Sequence, residues 1–273
     1  MSTQKTPLKT LLRKAVNILP MQPKVATQIA KVQDLQIQCA QLQAALKQMG
    51  GLIPPPRHLQ IRVTGKYYPN FIEHGETLLN YLSTSLSHVG KDLTSFGTVL
   101  EFGCGCARVL RAMHYRAAPL QKLYGTDIDA EAIEWCRMNY PKVAEFSVNP
   151  VEPPMAYADA TFDLVYSVSV FTHLPEDMQY SWLKELQRIT KPGGYLLLTT
   201  HGEKHFQNLP ESAREKGFHY QHAGDTEGLP DFYQAAFHTP AYIRSRWSDY
   251  FDILGIHERV MDDHQDIVLC RKR

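Results

Sequence analysis

Val99-Leu-Glu-Phe-Gly-Cys-Gly-Cys-Ala107 decides the reading of this chain. An apolar run ending in a glycine turn predicts a strand, Thr98–Phe102, that passes into a helix over 106–116. Gly103 and Gly105 let the backbone turn tightly and approach a ligand with no side chain in the way. The spacing is Gly-x-Gly-x-Ala, and Arg108 stands where a pyrophosphate-binding loop would carry its third glycine. Glu101, two residues before the turn, would repel a pyrophosphate and suits a cationic group instead.

Downstream, short apolar stretches alternate with helical patterns. The expected order is strand Lys122–Thr126, helix 130–139, strand Val143–Val148, strand Phe162–Val168, helix 176–190 and strand Tyr195–Thr200. That alternation predicts an α/β fold with a mostly parallel sheet covered by helices. Phe251–Val260 then runs almost directly into Asp266–Arg271, a connection short enough only for an antiparallel hairpin. Asp127 lies 22 residues after Gly105, the distance at which an acid meets ribose hydroxyls in nucleoside-binding folds of this kind. Asp129 is read as the cap of the following helix. Asn149 either offers its amide oxygen to an adenine amino group or simply forms a turn before Pro150. Ser167 and Val168 end the fourth strand beneath the ligand, and Lys191-Pro-Gly-Gly is read as a helix stop and turn.

The order Glu-x-Gly-x-Gly-x-Ala, Gly-Thr-Asp, Phe-Asp-Leu-Val-Tyr-Ser and Lys-Pro-Gly-Gly resembles the class I S-adenosylmethionine-dependent methyltransferase superfamily, over roughly residues 97–271. The resemblance implies a Rossmann-like sheet of seven strands with an antiparallel last strand, and S-adenosyl-L-methionine as cofactor. It implies that Glu101, Gly103, Cys104 and Gly105 hold the methionine end, Asp127 the ribose, and Ile128 and Asn149 the adenine. Ala107 for the usual third glycine and Asn149 for a common Asp depart from the pattern. The stretches Ser167–Leu174 and Leu197–Gly202 are similar to a bacterial subgroup often linked with glycosyltransferases, which implies a saccharide or other small-molecule hydroxyl as acceptor. Methylation of nitrogen or carbon, a lipid-linked acceptor, and a non-catalytic nucleoside-binding partner are the alternatives.

Transfer to a hydroxyl is helped by a base, and His173 and His201 follow the fourth and fifth strands, where ligands bind in such sheets. His238, before the next helix, is the third candidate. Residues 202–238 read as an insertion that could build the acceptor pocket, together with Tyr67, Tyr68 and Phe71. His205, His219 and His222 fit no standard ligand spacing, so no metal is expected.

Composition sets the remaining bounds. With 44% hydrophobic and 21% charged residues and a net charge of +1, the chain is an ordinary globular one with no basic excess for a nucleic-acid partner. Five cysteines without a Cys-x-x-Cys pair suit reduced thiols. No apolar run approaches the roughly 18 residues of a membrane span, and the basic N-terminus lacks a signal-peptide core, so a cytoplasmic protein is expected. Three zones follow: a helical extension over 1–50, a linker and helical cap over 51–96, and the catalytic domain over 97–273. In the extension, Val32, Leu35, Cys39, Leu42, Leu46 and Met49 alternate spacings of three and four, a seam that serves either packing on the chain's own domain or self-association. The basic stretch before it, with Lys5, Lys9, Arg13 and Lys14, also suits contact with a membrane surface. On the self-association reading, light scattering should give different oligomeric states for the full chain and for residues 51–273; identical monomers refute it.

Overall fold

Apolar strands ending in tight turns, with amphipathic helices between them, assemble here into one central sheet. A computed structural model describes residues 23–48, 53–222, 224, 226 and 228–273. The helices are α1 (Pro23–Gln48), α2 (Arg57–Thr64), α3 (Phe71–Ser87), α4 (Arg108–Arg116), α5 (Ala130–Asn139), α6 (Glu176–Ile189), α7 (Glu211–Lys216) and α8 (Pro240–Arg246). The strands are β1 (Thr98–Phe102), β2 (Lys122–Asp127), β3 (Glu145–Val148), β4 (Phe162–Ser167), β5 (Thr190–Thr200), β6 (Phe218–Gln221), β7 (Ala235–His238), β8 (Asp252–Met261) and β9 (Gln265–Arg271).

Seven strands pair in the order β3-β2-β1-β4-β5-β9-β8. The first five run parallel, and β9 is antiparallel to both β5 and β8. This is the Rossmann-like sheet and terminal hairpin expected from the sequence. On one face, Leu100, Val165, Leu198 and Val268 pack with Trp182 and Leu186 of α6 and with Trp247 and Phe251, all nearly inaccessible to solvent. Burying such side chains contributes about 1.5–3 kcal/mol each before entropy is counted. The order reverses beside β1, so the carboxyl ends of β1 and β4 open a crevice there.

Local differences from the sequence reading have identifiable causes. Helix α4 starts at Arg108, not at residue 106, because Ala107 takes a left-handed conformation (φ 57°) and its N–H donates to the Cys104 carbonyl at 2.8 Å. Lys191-Pro-Gly-Gly is not a turn ahead of β5 but an excursion within it. Phe162 of β4 faces Thr190 while Leu164 faces Tyr195, and the Gly193 N–H donates to the Lys272 carbonyl. Residues 202–238 hold regular structure: β6 and β7 form a two-stranded sheet, and Phe206, Ala213, Ala235 and Phe237 make a small core of their own. A bridge from His201 to Phe237 fastens that hairpin to the end of β5.

The chain divides into two units at Ile53 and Pro54. In the first, α1 exposes every side chain from Lys24 to Leu42, including Val32, Leu35 and Leu42 of the seam. The basic stretch at 5–14 and Met49 lie outside the described residues, as does the Leu46 side chain. Cys39 is exposed, whereas Cys104, Cys106, Cys136 and Cys270 are buried. No helix among the described residues is long and apolar enough to cross a membrane.

In the second unit α3 lies against α4 at Gly75, where a Cβ would fall 2.2 Å from the Arg108 carbonyl oxygen. Gly75→Ala must therefore push the helices apart, with an expected loss of about 1–3 kcal/mol. Urea unfolding checks this against Glu73→Ala on the exposed face, which should stay within about 0.5 kcal/mol of the parent.

Candidate active site

The glycine turn is tied to the neighbouring strand. The N–H groups of Gly103 and Cys104 both donate to the Thr126 carbonyl, at 2.8 and 3.0 Å. Gly103 has φ 77°, and a Cβ there would lie 2.1 Å from Val170 Cγ2; at Gly105, φ is 50° and a Cβ would lie 2.6 Å from Val63 Cγ2. Both positions thus exclude side chains twice over, by conformation and by space. Asp127 closes the turn from β2: its Oδ2 accepts from the Gly105 N–H at 2.7 Å, and its Oδ1 accepts from the Asp129 N–H at 2.9 Å. Asp129 caps α5 as expected, accepting from the N–H groups of Glu131 and Ala132.

A cleft of about 860 Å³, open mouth included, forms over this turn. Glu101, Gly103, Cys104, Gly105, Asp127, Ile128, Asn149 and Val168 all line it, so residues from four strand ends converge as predicted. Ser167 does not: it is fully buried behind the wall, because alternation along β4 turns it away from the face that Val168 reaches. Glu101 is buried and accepts at Oε2 from the Tyr166 hydroxyl (3.1 Å) and the Leu110 N–H (3.2 Å). Burial raises its pKa to about 8, against the opposing pull of Tyr166 and Arg108. Burial likewise lifts Asp127 to about 6, opposed by the Asp129 and Gly105 N–H groups. Asn149 Oδ1 already accepts from the Thr126 hydroxyl at 3.1 Å, and a carbonyl-type oxygen retains a second lone pair.

These residues fit an S-adenosylmethionine. Glu101 would meet the amino group, since its two protein donors both go to Oε2. The Gly103–Gly105 cradle would take the methionine backbone. Asp127 retains acceptor capacity for ribose hydroxyls beyond its backbone donors. Asn149 and Ile128 would flank the adenine.

A second cavity, about 1780 Å³ with its mouth, shares Arg62, Val63, Arg108, Val168, Ser169 and Tyr233 with the first. His173 and His201 line it. The His173 ring stacks on Tyr233 at 4.2 Å, and its Nδ1 donates to the Gln234 carbonyl at 2.6 Å. His201 Nδ1 donates to the Ala236 carbonyl at 3.2 Å. Burial pushes His173 down to about 4; burial pushes His201 lower still, and His173, His264 and His205 add to the effect. Tyr68 joins this wall, whereas Phe71 is core and Tyr67 is exposed.

His238 lines neither cavity. It is fully buried between Phe218, Tyr242 and Trp247, with Nε2 on Gln179 Oε1 at 2.8 Å, so the sequence-based catalytic assignment is corrected to a core histidine. The residues before α8 run as strand β7 toward the hairpin rather than toward the crevice, which removes His238 from the mouth. His205 sits near His201 and donates from Nε2 to the His264 carbonyl, while His219 lies on β6. Among the described residues no group of three or more His, Cys, Asp or Glu side chains could hold a metal ion.

Arg108, Tyr233 and His264 also line the site; the sequence reading singles out none of them, although Tyr233 falls within the insertion it assigns to the pocket. Tyr233 and His264 stand in segments with no motif, and only folding brings them to the crevice. Arg108 stood next to the glycine turn and was read only as a missing glycine.

Residues 100–198 match a family described as a methyltransferase domain. A 2-methyl-6-phytyl-1,4-hydroquinone methyltransferase from Synechocystis is 29% identical over 126 residues, covering 44% of this chain and 36% of the relative. The matched part of the chain thus spans about a third of that relative's length. Among solved structures, a protein of Pyrococcus horikoshii aligns with TM-score 0.52 at 17% identity, over 71% of this chain and 89% of that one. An S-adenosylmethionine-dependent methyltransferase from Methanosarcina mazei aligns with TM-score 0.50 at 21% identity, over 68% and 96%. Human N-acetylserotonin methyltransferase, bound to S-adenosylmethionine, aligns with TM-score 0.50 at 16% identity, over 72% and 51%. At these identities the solved structures establish the fold.

With its pKa at about 8, Glu101 is mainly protonated in the empty cleft at pH 7, and an arriving ammonium group favours the carboxylate. Binding of S-adenosylmethionine at pH 7 should therefore release close to one proton. Affinity should rise from pH 6 to 8 and fall above that, as the ligand's own amino group, near pKa 8, loses its charge. Calorimetry in buffers of different ionisation enthalpy measures the release. Parental release in Glu101→Gln would remove Glu101 from this role.

Proposed function

We infer that the chain, whose residues 100–198 match a methyltransferase domain, is a class I S-adenosylmethionine-dependent methyltransferase that methylates a hydroxyl of a small molecule, with a saccharide as one such acceptor. When bound, the cofactor supplies a methyl group activated by a positively charged sulfonium. The protein's main task is then alignment: holding the acceptor oxygen in line can lower the barrier by about 7–11 kcal/mol. Val168, Ser169 and Tyr233, shared by both cavities, mark where acceptor and cofactor would meet.

One observation carries the choice of a hydroxyl. His173 and His201 each spend Nδ1–H on a backbone carbonyl, and a carbonyl can only accept. That fixes the tautomer and leaves Nε2 of each ring as a proton acceptor. Their lowered pKa values keep both rings neutral at pH 7, ready to take a hydroxyl proton, although each is a weaker base than a free imidazole. His173, the less depressed of the two, is the stronger base and the first choice.

A second reading is favoured by the hydroquinone methyltransferase among the relatives. An aromatic acceptor methylated on ring carbon would use Tyr68 and Tyr233 as its stacking walls and would need no hydroxyl base. The lipid-linked variant of that reading would involve contact with a membrane surface, and the hydroxyl reading a cytoplasmic acceptor.

Labelled methyl transfer from S-adenosylmethionine to saccharide and phenolic acceptors, with mass spectrometry of the product, separates the readings. On the hydroxyl reading, His173→Ala should lower kcat about 10²–10⁴-fold while cofactor affinity changes little. Parental turnover in both His173→Ala and His201→Ala on an oxygen acceptor would exclude a histidine base.

A further inference from the structure

Arg108 is the first residue of α4, and its guanidinium lies at the junction of the two cavities, lining both. The residue is only 8% exposed. A buried guanidinium normally pairs with a carboxylate, because an unpaired charge in a protein interior is costly. Here no carboxylate reaches it with a hydrogen bond or ion pair among the described residues, although Glu101 of the cofactor cleft acts on it at longer range. Its one hydrogen bond goes from Nη1 to His74 Nδ1, at 2.9 Å. Since arginine can only donate, His74 accepts at Nδ1 and donates from Nε2 to Asp262 Oδ2 at 2.8 Å. Asp262 also accepts from the Tyr81 hydroxyl at its other oxygen. The single carboxylate on the wall of the second cavity is thus engaged through a neutral imidazole and stops short of Arg108. Phe71 supports the guanidinium from behind, its ring centroid 5.8 Å away.

The remaining donors of the fork receive no protein acceptor, and Lys66 brings a further cation to a cavity whose other arginine, Arg62, is engaged by Asp129 and Glu131. His74, Lys66 and Tyr68 line the second cavity and not the cofactor cleft, so the head group is anchored on the acceptor side. We propose that Arg108 is a specificity residue that receives an anionic oxygen group, a carboxylate or a phosphoryl group, carried by the methyl acceptor. A planar fork with free N–H groups binds such a group in two-point fashion, and Lys66 adds a point charge at the rim. Neutral acceptors of the same shape leave the guanidinium both desolvated and unpaired, and are rejected for that reason.

The proposal rests on the methyltransferase reading, and its test keeps the two apart. The full-length chain is first shown to bind S-adenosylmethionine; failure at that step refutes the methyltransferase reading itself. With S-adenosylhomocysteine saturating, calorimetry then compares 4-hydroxybenzoate, phenyl phosphate and the neutral methyl ester of 4-hydroxybenzoate. At least one anion should bind about 10–100-fold more tightly than the ester, the range of a charge-assisted hydrogen-bonded pair. Which anion binds more tightly distinguishes carboxylate from phosphoryl. Arg108→Gln should erase that margin while changing the affinity for S-adenosylmethionine by a much smaller factor, since the guanidinium also acts on Glu101 across the cofactor cleft. Equal binding of anions and ester, or no binding of either anion, overturns the proposal. So does an equal loss of S-adenosylmethionine affinity in Arg108→Gln, which would give the guanidinium to the cofactor's own carboxylate. Should Arg108→Gln fail to fold, Lys66→Met on the exposed rim decides. A weakened and less salt-sensitive anion preference supports the proposal, and an unchanged one overturns it.

Discussion

The site depends on one carboxylate. Asp127 accepts from the Gly105 N–H with one oxygen and from the Asp129 N–H with the other, so a single side chain fixes both the loop after β1 and the loop after β2. Gly105 then holds its left-handed turn against Val63, and Asp129 is set to cap α5 and to accept from Arg62 of α2 at 2.8 Å. The floor, one wall and the rim of the cofactor cleft therefore share a common anchor. A charge-assisted hydrogen bond of this kind is roughly twice as strong as a neutral one. The burial that makes it strong also lifts Asp127 toward neutrality, so the same group couples loop order to pH.

The cofactor half of this arrangement was legible in the sequence because parallel sheets gather their functional residues at strand ends. Glu101 lies at the end of β1, Gly103 and Gly105 follow it, Asp127 ends β2, and Asn149 follows β3, so identifying the strands identified the residues. Ser167 failed that logic by one residue, because the period of two turns alternate side chains to opposite faces. The acceptor half was not legible in the same way. It is assembled from α2, α3, the insertion and the terminal hairpin, none of which carries a spacing rule. His173 and His201 were found because they follow strands, and His238 was misplaced because its segment looked the same in sequence but runs as β7 into the core. Boundaries erred where backbone conformation overrode composition, as at Ala107 and in the excursion at 191–194.

The two cavities are electrostatically unlike. Arg62 and Arg108 line both, but the cofactor cleft adds Glu101, Asp127 and Asp129, whereas the second cavity adds Lys66, the single carboxylate Asp262, and His173 and His201 lowered by burial. Histidines held neutral by a buried wall add hydrogen-bonding capacity without adding charge. Residues 202–238 supply part of that wall, and the bridge between His201 and Phe237 extends the end of β5 into the insertion, so that it is more than an appended loop.

The position of β9 bears on how the sheet is completed. This strand fills the gap between β5 and β8, and the Lys272 main chain beyond it exchanges hydrogen bonds with the Gly193–Gly194 excursion in β5. Without β9 in place, β5 presents an unpaired edge of Leu196, Leu197 and Leu198, and β8 has no partner strand. Such an edge is a template for wrong pairings. The sheet closes only once residues 265–271 pair on both sides, which ties the integrity of this fold to that one strand.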